Sequence, residues 1–235
     1  MMLTLPKAKI HPIAFPISLC LIVFGCILLF IEIRHTDDIM RMLKLSDMDD
    51  FFILGKLFAS TAGIILATML IFALDPRRHE VFPRIIIGSY VAGAVNILFK
   101  IIFNRERPQY DRKKDYIAEV PLDEMGQFFV GIREGNHSLL IDSQYWSFPS
   151  GHSCVAGFFM LGYCTYYPQA RWVFVTIAVL CMGSRIMGVD HFTSDTFVGL
   201  GVGMLLWIAF EKVTIFERGW RRVIGHKTEK EIQNT

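Results

Sequence analysis

Long apolar segments constrain the fold of this chain more strongly than any other feature of its sequence. A helix needs about 20 apolar residues to cross the hydrocarbon core of a bilayer, which is about 30 Å thick. Six apolar segments lie at 14–33, 51–74, 81–103, 153–167, 172–187 and 196–210. The chain is 53% hydrophobic with a mean hydropathy of +0.41, which is too apolar for an ordinary soluble domain. We therefore predict an all-α membrane protein with six transmembrane helices, built as one domain over residues 1–235.

The first apolar segment has two interpretations, a cleaved signal peptide or a retained membrane anchor. Its length, the absence of an Ala-x-Ala-like exit and the charged Glu32 and Arg34 at its end favour the anchor. Residues 34–50 follow with mixed charge and interleaved apolar side chains. They suit either an amphipathic helix at the membrane interface or a solvated connection.

Small residues and cysteines within the apolar segments indicate packing. Gly199, Gly201 and Gly203 permit close contact between helices in the small-xxx-small manner. The five cysteines all fall in apolar segments and show no Cys-x-x-Cys or Cys/His spacing, so they are interpreted as small core residues and imply neither a zinc site nor a disulfide framework. The net charge is only +2 and no basic array is interleaved with aromatics, so nucleic acid is not an expected partner.

The distribution of basic residues indicates the topology. With a cytoplasmic N-terminus, every cytoplasmic piece carries lysine or arginine, as the positive-inside rule requires, and the charged tail 211–235 is also cytoplasmic. The opposite face is basic too. Its cations, at the end of the third segment and in the loop of about 104–149, are Lys100, Arg105, Arg107, Arg112, Lys113, Lys114 and Arg133. Basic residues placed against the rule predict an anionic ligand on that face.

The fourth apolar segment is preceded by a short polar turn, Pro-Ser-Gly-His at 149–152. Pro149 suits a turn, and Ser150 and Gly151 are small enough for a ligand to approach the backbone. We expect His152 in the first turn of a membrane helix, where free N–H groups and the helix dipole favour an anion. Taken alone, the turn is equally well explained as a helix cap.

Two further motifs belong to the same face. Lys100 and Arg107 are seven residues apart, so both cations lie on one side if the helix continues that far. At the end of the fifth segment, Arg185 is followed by His191 and Asp195; in a helix, Asp195 would accept a hydrogen bond from His191. Each motif alone is unremarkable. Together they supply cations, two histidines and a carboxylate, which are the groups that phosphoryl transfer through a phosphohistidine requires.

The three motifs resemble the signature of the type 2 phosphatidic acid phosphatase superfamily. They read Lys-x6-Arg-Pro, Pro-Ser-Gly-His and Ser-Arg-x5-His-x3-Asp, and they extend over residues 100–195. The resemblance implies that His191 is the nucleophile, that Asp195 orients it, and that His152 is the general acid. It also implies a phosphate-binding set, which would be Lys100, Arg107, Ser150, Gly151 and Arg185. It implies no metal ion or other cofactor.

The apolar chain and the depth of the site imply a lipid phosphate whose headgroup lies at the outer face of a bacterial inner membrane, and the family offers several such substrates. The active site would lie at the periplasmic ends of helices 3 to 6, with both termini in the cytoplasm. Lipid A, undecaprenyl pyrophosphate and phosphatidylglycerophosphate are the alternatives. The long basic and aromatic loop favours lipid A as a substrate dephosphorylated at position 1. A non-catalytic lipid transporter is the hypothesis from another class, and the sequence shows neither the inverted repeat nor the midplane acid typical of one. A vanadate haloperoxidase has a similar site, but it is a soluble protein.

Overall fold

The computed structural model describes residues 10–44, 63, 66, 68–70, 73, 78–108, 143–188 and 190–212. Its longer helices are α1 (Ala14–Lys44), α2 (Arg78–Phe103), α3 (Gly151–Tyr166), α4 (Arg171–Met187) and α5 (Thr193–Lys212). Two single-turn 3-10 helices, Ser143–Tyr145 and Pro168–Ala170, precede α3 and α4. Within these ranges every secondary-structure element is helical, which confirms the predicted all-α class.

Four stretches in the described ranges are long and apolar enough to cross a membrane. They are Ala14–Glu32, Arg84–Phe103, Pro168–Met187 and Thr193–Lys212. Helix α3 has 16 residues and is therefore about 24 Å long, shorter than a bilayer core. The predicted second span, 51–74, lies almost wholly outside the described residues, as do most of the loop 104–149 and of the tail 211–235. The count of six spans therefore stays a prediction.

Helix α1 continues beyond the predicted end of the first span. The sequence places that end at residue 33, whereas the helix reaches Lys44. The stretch 34–50 was expected to be either an interfacial helix or a connection, and its first part is a direct continuation of α1. Residues 45–50 lie outside the described ranges.

Helix α5 is the central element of the bundle. Inside its apolar stretch, 61% of the residues are buried, against 17% for α1, 28% for α2 and 22% for α4. Two glycines of α5 explain its contact with α3. A Cβ added to Gly199 would lie 2.5 Å from the carbonyl oxygen of Ser150, and one on Gly203 would lie 1.8 Å from that of Cys154.

The α3 and α1 sides of these contacts use glycine as well. A Cβ on Gly157 of α3 would lie 2.3 Å from the carbonyl oxygen of Leu200. On the other face of α5, a Cβ on Gly201 would lie 2.7 Å from the carbonyl oxygen of Ser18. A Cβ on Gly25 of α1 would lie 2.6 Å from Cγ2 of Val198. The predicted role of the glycines in close helix packing is confirmed, and α5 is held between α1 and α3.

A buried ion pair joins α2 to the end of α5. Arg84 Nη1 lies 3.1 Å from Glu211 Oε1, and the hydroxyl of Tyr166 donates to the same carboxylate oxygen at 3.0 Å. Both charged side chains are less than a tenth exposed. This pair belongs to the end of the bundle that carries the C-terminus of α3 and the beginning of α2.

We predict that Gly203→Ala destabilises the protein by about 1–3 kcal/mol, because the new methyl group overlaps the backbone of Cys154 and must push α3 away from α5. The matched control is Gly93→Ala in α2, where an added Cβ meets nothing within 4 Å and helix propensity improves. Thermal unfolding of both variants in detergent, followed by circular dichroism, measures the difference. Equal melting temperatures would contradict this account of α3–α5 packing.

Candidate active site

The predicted site residues come from different elements but lie at one end of the bundle. The end of α2 carries Lys100 and the start of α3 carries His152, while Arg185 lies at the end of α4. Asp195 lies in the first turn of α5. The remaining predicted residues are Arg107 after α2, Ser150 and Gly151 at the start of α3, and His191 before α5. Chain direction alone brings these ends together, because α2 and α4 run opposite to α3 and α5.

The Pro-Ser-Gly-His turn is fixed to the start of α5 as well as to α3. Ser150 is the N-cap of α3, and its hydroxyl oxygen accepts from the Ser153 N–H at 3.5 Å. The Ser150 N–H in turn donates to the backbone oxygen of Asp195 at 3.0 Å. The preceding Phe148–Pro149 peptide bond is cis. His152 lies in the first turn of α3, as predicted, and the turn is both a helix cap and a contact to the carboxylate-bearing helix.

Side chains of α2 hold the same turn from the opposite side. Lys100 Nζ donates to the backbone oxygen of Trp146 at 2.8 Å, and Asn96 Nδ2 donates to that of Pro149 at 3.4 Å. A Cβ on Gly151 would lie 3.2 Å from Asn96 Nδ2 and 3.8 Å from Lys100 Nζ. The lysine ammonium group therefore lies beside the free N–H groups at the start of α3, which is a favourable arrangement for an anion.

The expectation that Lys100 and Arg107 share one helical face was wrong. Helix α2 ends at Phe103, and Asn104 adopts a left-handed conformation with φ of 48°. Asparagine tolerates this conformation better than most residues, so it ends helices well. The chain therefore turns before Arg107. Both cations still act on His152, so they are brought together by the turn rather than by helical periodicity.

Asp195 is fully buried, and donors surround its carboxylate. Oδ1 accepts from Arg105 Nη1 at 2.5 Å. Oδ2 accepts from the Ser147 hydroxyl at 2.5 Å and from the Phe192 N–H at 3.1 Å. These bonds hold the carboxylate in one orientation at the start of α5, where the helix dipole also favours a negative charge.

His191 lies next to this carboxylate but not on the same helix. Its Nδ1 is 3.7 Å from Asp195 Oδ2, which is beyond hydrogen-bond distance although close for two charges. Helix α5 begins at Thr193, so the predicted helical i,i+4 geometry was wrong. The backbone turn at 190–192 brings the two side chains together instead. His191 is only 2% exposed.

Two charged residues at the site have no place in the predicted set. Arg105 is 0% exposed and Glu32 is 2% exposed. Arg105 contacts Asp195 directly and lies 3.8 Å from the centre of the Phe192 ring. From sequence, Glu32 is a charge at the end of an apolar segment and Arg105 is one basic residue among several. A carboxylate at the end of an apolar run was the signal available, since ionisable groups in membrane helices are usually functional.

The two arginines of the predicted phosphate-binding set carry buried N–H groups without a protein acceptor. Among the described residues, the Nε atoms of Arg107 and Arg185 have no hydrogen-bond partner. Arg185 Nη1 donates to Asp190 Oδ2 at 3.1 Å, and that carboxylate is 24% exposed. A bound oxyanion would supply the missing acceptors. It would also share Arg185 with Asp190.

Burial and positive charge keep both histidines neutral in this arrangement. Burial lowers the pKa of His152 to about 3, and nearby positive charges act in the same direction. The permanent charges among them belong to Arg185, Lys100 and Arg107. Burial also lowers the pKa of His191, although the Asp195 carboxylate opposes this effect. An anion that neutralises the cations would therefore make protonation of His152 easier.

Comparison with known proteins shows which family this chain resembles. A family model described as the PAP2 superfamily matches residues 83–217. A lipid A 1-phosphatase of Rhizobium johnstonii is 33% identical over 138 residues, which cover 56% of this chain and 49% of that protein. A lipid A 1-phosphatase of Rhizobium etli is 32% identical over 138 residues, with coverages of 56% and 51%. The chain thus spans about half the length of the curated relatives it matches. No solved structure matches it.

We predict that His152 stays neutral between pH 5 and 8 in the free protein, because its lowered pKa lies below that range. Orthovanadate, an analogue of phosphate, should raise this pKa by neutralising the surrounding cations. Histidine NMR on ¹⁵N-labelled protein in detergent measures both states, with His152→Ala assigning the signal. A His152 ring that titrates near pH 6.5 without an anion would contradict this electrostatic account.

Proposed function

This chain belongs to the PAP2 superfamily, and from that membership and the site's geometry we propose that it is a membrane phosphatase acting on a lipid phosphate. One observation carries the proposal: the eight predicted site residues, which are part of the three motifs, meet at one end of the bundle, around a buried His191–Asp195 pair. A helix N-terminus, two arginines with free buried N–H groups and a lysine lie beside that pair. This combination suits a phosphoryl group better than any neutral ligand.

The phosphoryl group is held by the cations and by the start of α3. Lys100, Arg107 and Arg185 neutralise its charge, and the Ser150 hydroxyl and the Gly151 N–H donate to its oxygens. These donors are fixed before the substrate binds, because Lys100 and Ser150 already have backbone contacts. Fixed donors stabilise the charge that develops on the equatorial oxygens of the transition state.

Two proton-transfer roles complete the reaction. Asp195 Oδ2, 3.7 Å from Nδ1 of His191, favours the tautomer with its hydrogen on Nδ1, and this contact would shorten in the substrate complex. The Nε2 lone pair is then free to attack phosphorus. As the N–P bond forms, the bond from phosphorus to the lipid oxygen breaks, and His152 gives that oxygen its proton. Water then attacks phosphorus and gives its proton to His152. The N–P bond breaks and inorganic phosphate leaves, which restores neutral His191.

His152 must become protonated after the substrate binds, because the ring is neutral in the free site. In the free site its pKa is about 3, because of burial and the cations around it. A phosphate group brings negative charge to the same cations and reverses their effect on the ring. The acid is therefore formed only where a substrate is bound. The proposed role of His152 as general acid therefore depends on the bound substrate.

Lipid A with a phosphate at position 1 is the first substrate that we propose, since both relatives are named for that activity. Undecaprenyl pyrophosphate and phosphatidylglycerophosphate are the alternatives. The corresponding location is a bacterial inner membrane, with the site facing the periplasm and both termini in the cytoplasm. We further propose that no metal ion takes part. Among the described residues, no cluster of three or more potential His, Cys, Asp or Glu ligands occurs.

We predict that purified protein releases phosphate from at least one lipid in a panel of lipid A, undecaprenyl pyrophosphate, phosphatidylglycerophosphate and phosphatidate. His191→Ala should lower the rate by at least about 10³-fold, because the attacking nitrogen is lost. Activity should also survive saturating EDTA.

The matched control for that experiment is His11→Ala, which alters an exposed histidine outside the site and should leave the rate unchanged. Phosphate release by a folded His191→Ala variant would exclude the nucleophile assignment. No release from any lipid by the unaltered protein, together with binding of lipid vesicles, would favour a transporter instead.

We predict a bell-shaped dependence of kcat on pH. The rate should rise with pH while His191 in the complex loses its proton, and fall again when His152 loses the proton that it must donate. Steady-state kinetics on the most active lipid measure the profile. His152→Ala should remove the alkaline limb along with most of the rate. A monotonic profile, with chemistry shown to limit the rate, would argue against the paired roles.

A further inference from the structure

We propose that Glu32 and Arg105 form a positioning relay that orients Asp195 and gives the region behind His191 a net negative charge. This inference rests on the proposed function, since it concerns the nucleophile of that reaction. Neither residue belongs to the three signature motifs. Glu32 also lies outside the region matched by the family model, which begins at residue 83.

The contacts of Arg105 make it a bridge between two carboxylates. Its Nη1 donates to Asp195 Oδ1 at 2.5 Å, and its Nη2 lies 3.6 Å from Glu32 Oε2. The stacked Phe192 ring, at 3.8 Å, restricts the guanidinium plane. By occupying Oδ1, the arginine leaves Oδ2 of Asp195 to face His191. Only a planar group with a fixed fork of donors can serve both carboxylates in this way.

Glu32 fixes the beginning of the helix that carries Asp195. Its Oε1 accepts from the Ser194 N–H at 2.9 Å, and its Oε2 accepts from the Ser194 hydroxyl. That hydroxyl in turn accepts from Arg105 Nη1 at 3.0 Å. Helix α1 is thereby joined to the first turn of α5, one residue before the catalytic carboxylate. The donors named here favour the ionised Glu32 carboxylate, whereas its burial and the nearby Asp195 charge oppose ionisation.

The charges of the relay explain why a second carboxylate is useful. Arg105 and Asp195 alone would form a neutral pair, which would offer little stabilisation to a positive imidazole. When it is ionised, Glu32 adds a negative charge, so Glu32, Arg105 and Asp195 then carry a net charge of −1 beside His191. Attack on phosphorus makes the His191 ring positive. A buried negative charge stabilises that state more strongly than it would in water, because the dielectric constant is low.

The test compares Glu32→Gln, Glu32→Asp and Arg105→Lys with the unaltered protein, using lipid A in detergent micelles and inorganic phosphate as a competitive inhibitor. We expect Glu32→Gln and Arg105→Lys to lower kcat about 10- to 100-fold, as for other groups that orient a reacting side chain. Glu32→Asp keeps the charge and should recover much of the loss. KM and the inhibition constant of phosphate should stay within about twofold, because the phosphate-binding residues are distinct from the relay.

The matched control is Glu211→Gln, which removes the charge of a buried carboxylate at the opposite end of the bundle, where the Glu211 side chain is 8% exposed and paired with Arg84. It should lower thermal stability to a similar degree as Glu32→Gln but leave kcat within about twofold. An equal loss of kcat in the two variants would show a merely structural effect and overturn the inference.

The remaining outcomes separate the inference from the proposed function. If the unaltered protein is active and Glu32→Gln has the same kcat, the relay is wrong while the phosphatase stands. If the unaltered protein releases phosphate from none of the four panel lipids, the phosphatase proposal fails, and the relay fails with it. A loss confined to KM would likewise overturn the relay, because it would place Glu32 in binding rather than in catalysis.

Discussion

Contact between the backbones of α3 and α5 determines where the parts of the site meet. In a membrane the hydrophobic effect does little to bring helices together, so close packing must do so, and small residues allow it. Gly157 and Gly203 remove the side chains that would separate the two helices. The resulting approach lets the Ser150 N–H reach the backbone oxygen of Asp195 at 3.0 Å. The turn that begins α3 and the carboxylate that begins α5 are therefore one rigid unit.

Buried charge at this end of the bundle is expensive and must be explained by function rather than stability. Removing a carboxylate or a guanidinium from water carries a penalty of several kcal/mol, and pairing rarely returns more than that. Apolar side chains at 32 and 105 would hold α1, α2 and α5 together at lower cost. Glu32 and Arg105 are nonetheless 2% and 0% exposed, beside Asp195. In our proposal, Glu32 and Arg105 are present because they orient the Asp195 carboxylate.

The sequence predicted those features that follow from local pattern and from spacing. Apolar runs gave the helical class, the glycines gave the close contacts of α5, and the motifs gave the residues that converge on His152. Local geometry between motifs was harder to predict. The left-handed Asn104 ends α2 before Arg107, and a backbone turn rather than a helix brings His191 to Asp195.

Contacts between distant segments were beyond what spacing can show. Glu32 and Ser194 are 162 residues apart, and nothing in either neighbourhood indicates the other. At the end of an apolar run, a carboxylate that flanks a span and one that turns into the bundle look the same in sequence. The packing of α1 on α5 distinguishes them, through glycines at 25 and 201. Tertiary structure is therefore needed to find the groups that act through Asp195.

Cations lie on one side of His191 and carboxylates on the other, and the proposed phosphoryl transfer requires both. Lys100, Arg107 and Arg185 lie on the side of His152, where they lower the pKa of that ring and would attract phosphate in the proposed function. Asp195, with Arg105 and Glu32 beyond it, lies on the Nδ1 side. In the proposed mechanism, a neutral imidazole between them is polarised toward the phosphorus. As the imidazole attacks, negative charge on phosphate oxygens would grow beside the cations while positive charge on the ring would grow beside the carboxylates. Both changes are stabilised by groups already in place, so little reorganisation is required during the reaction.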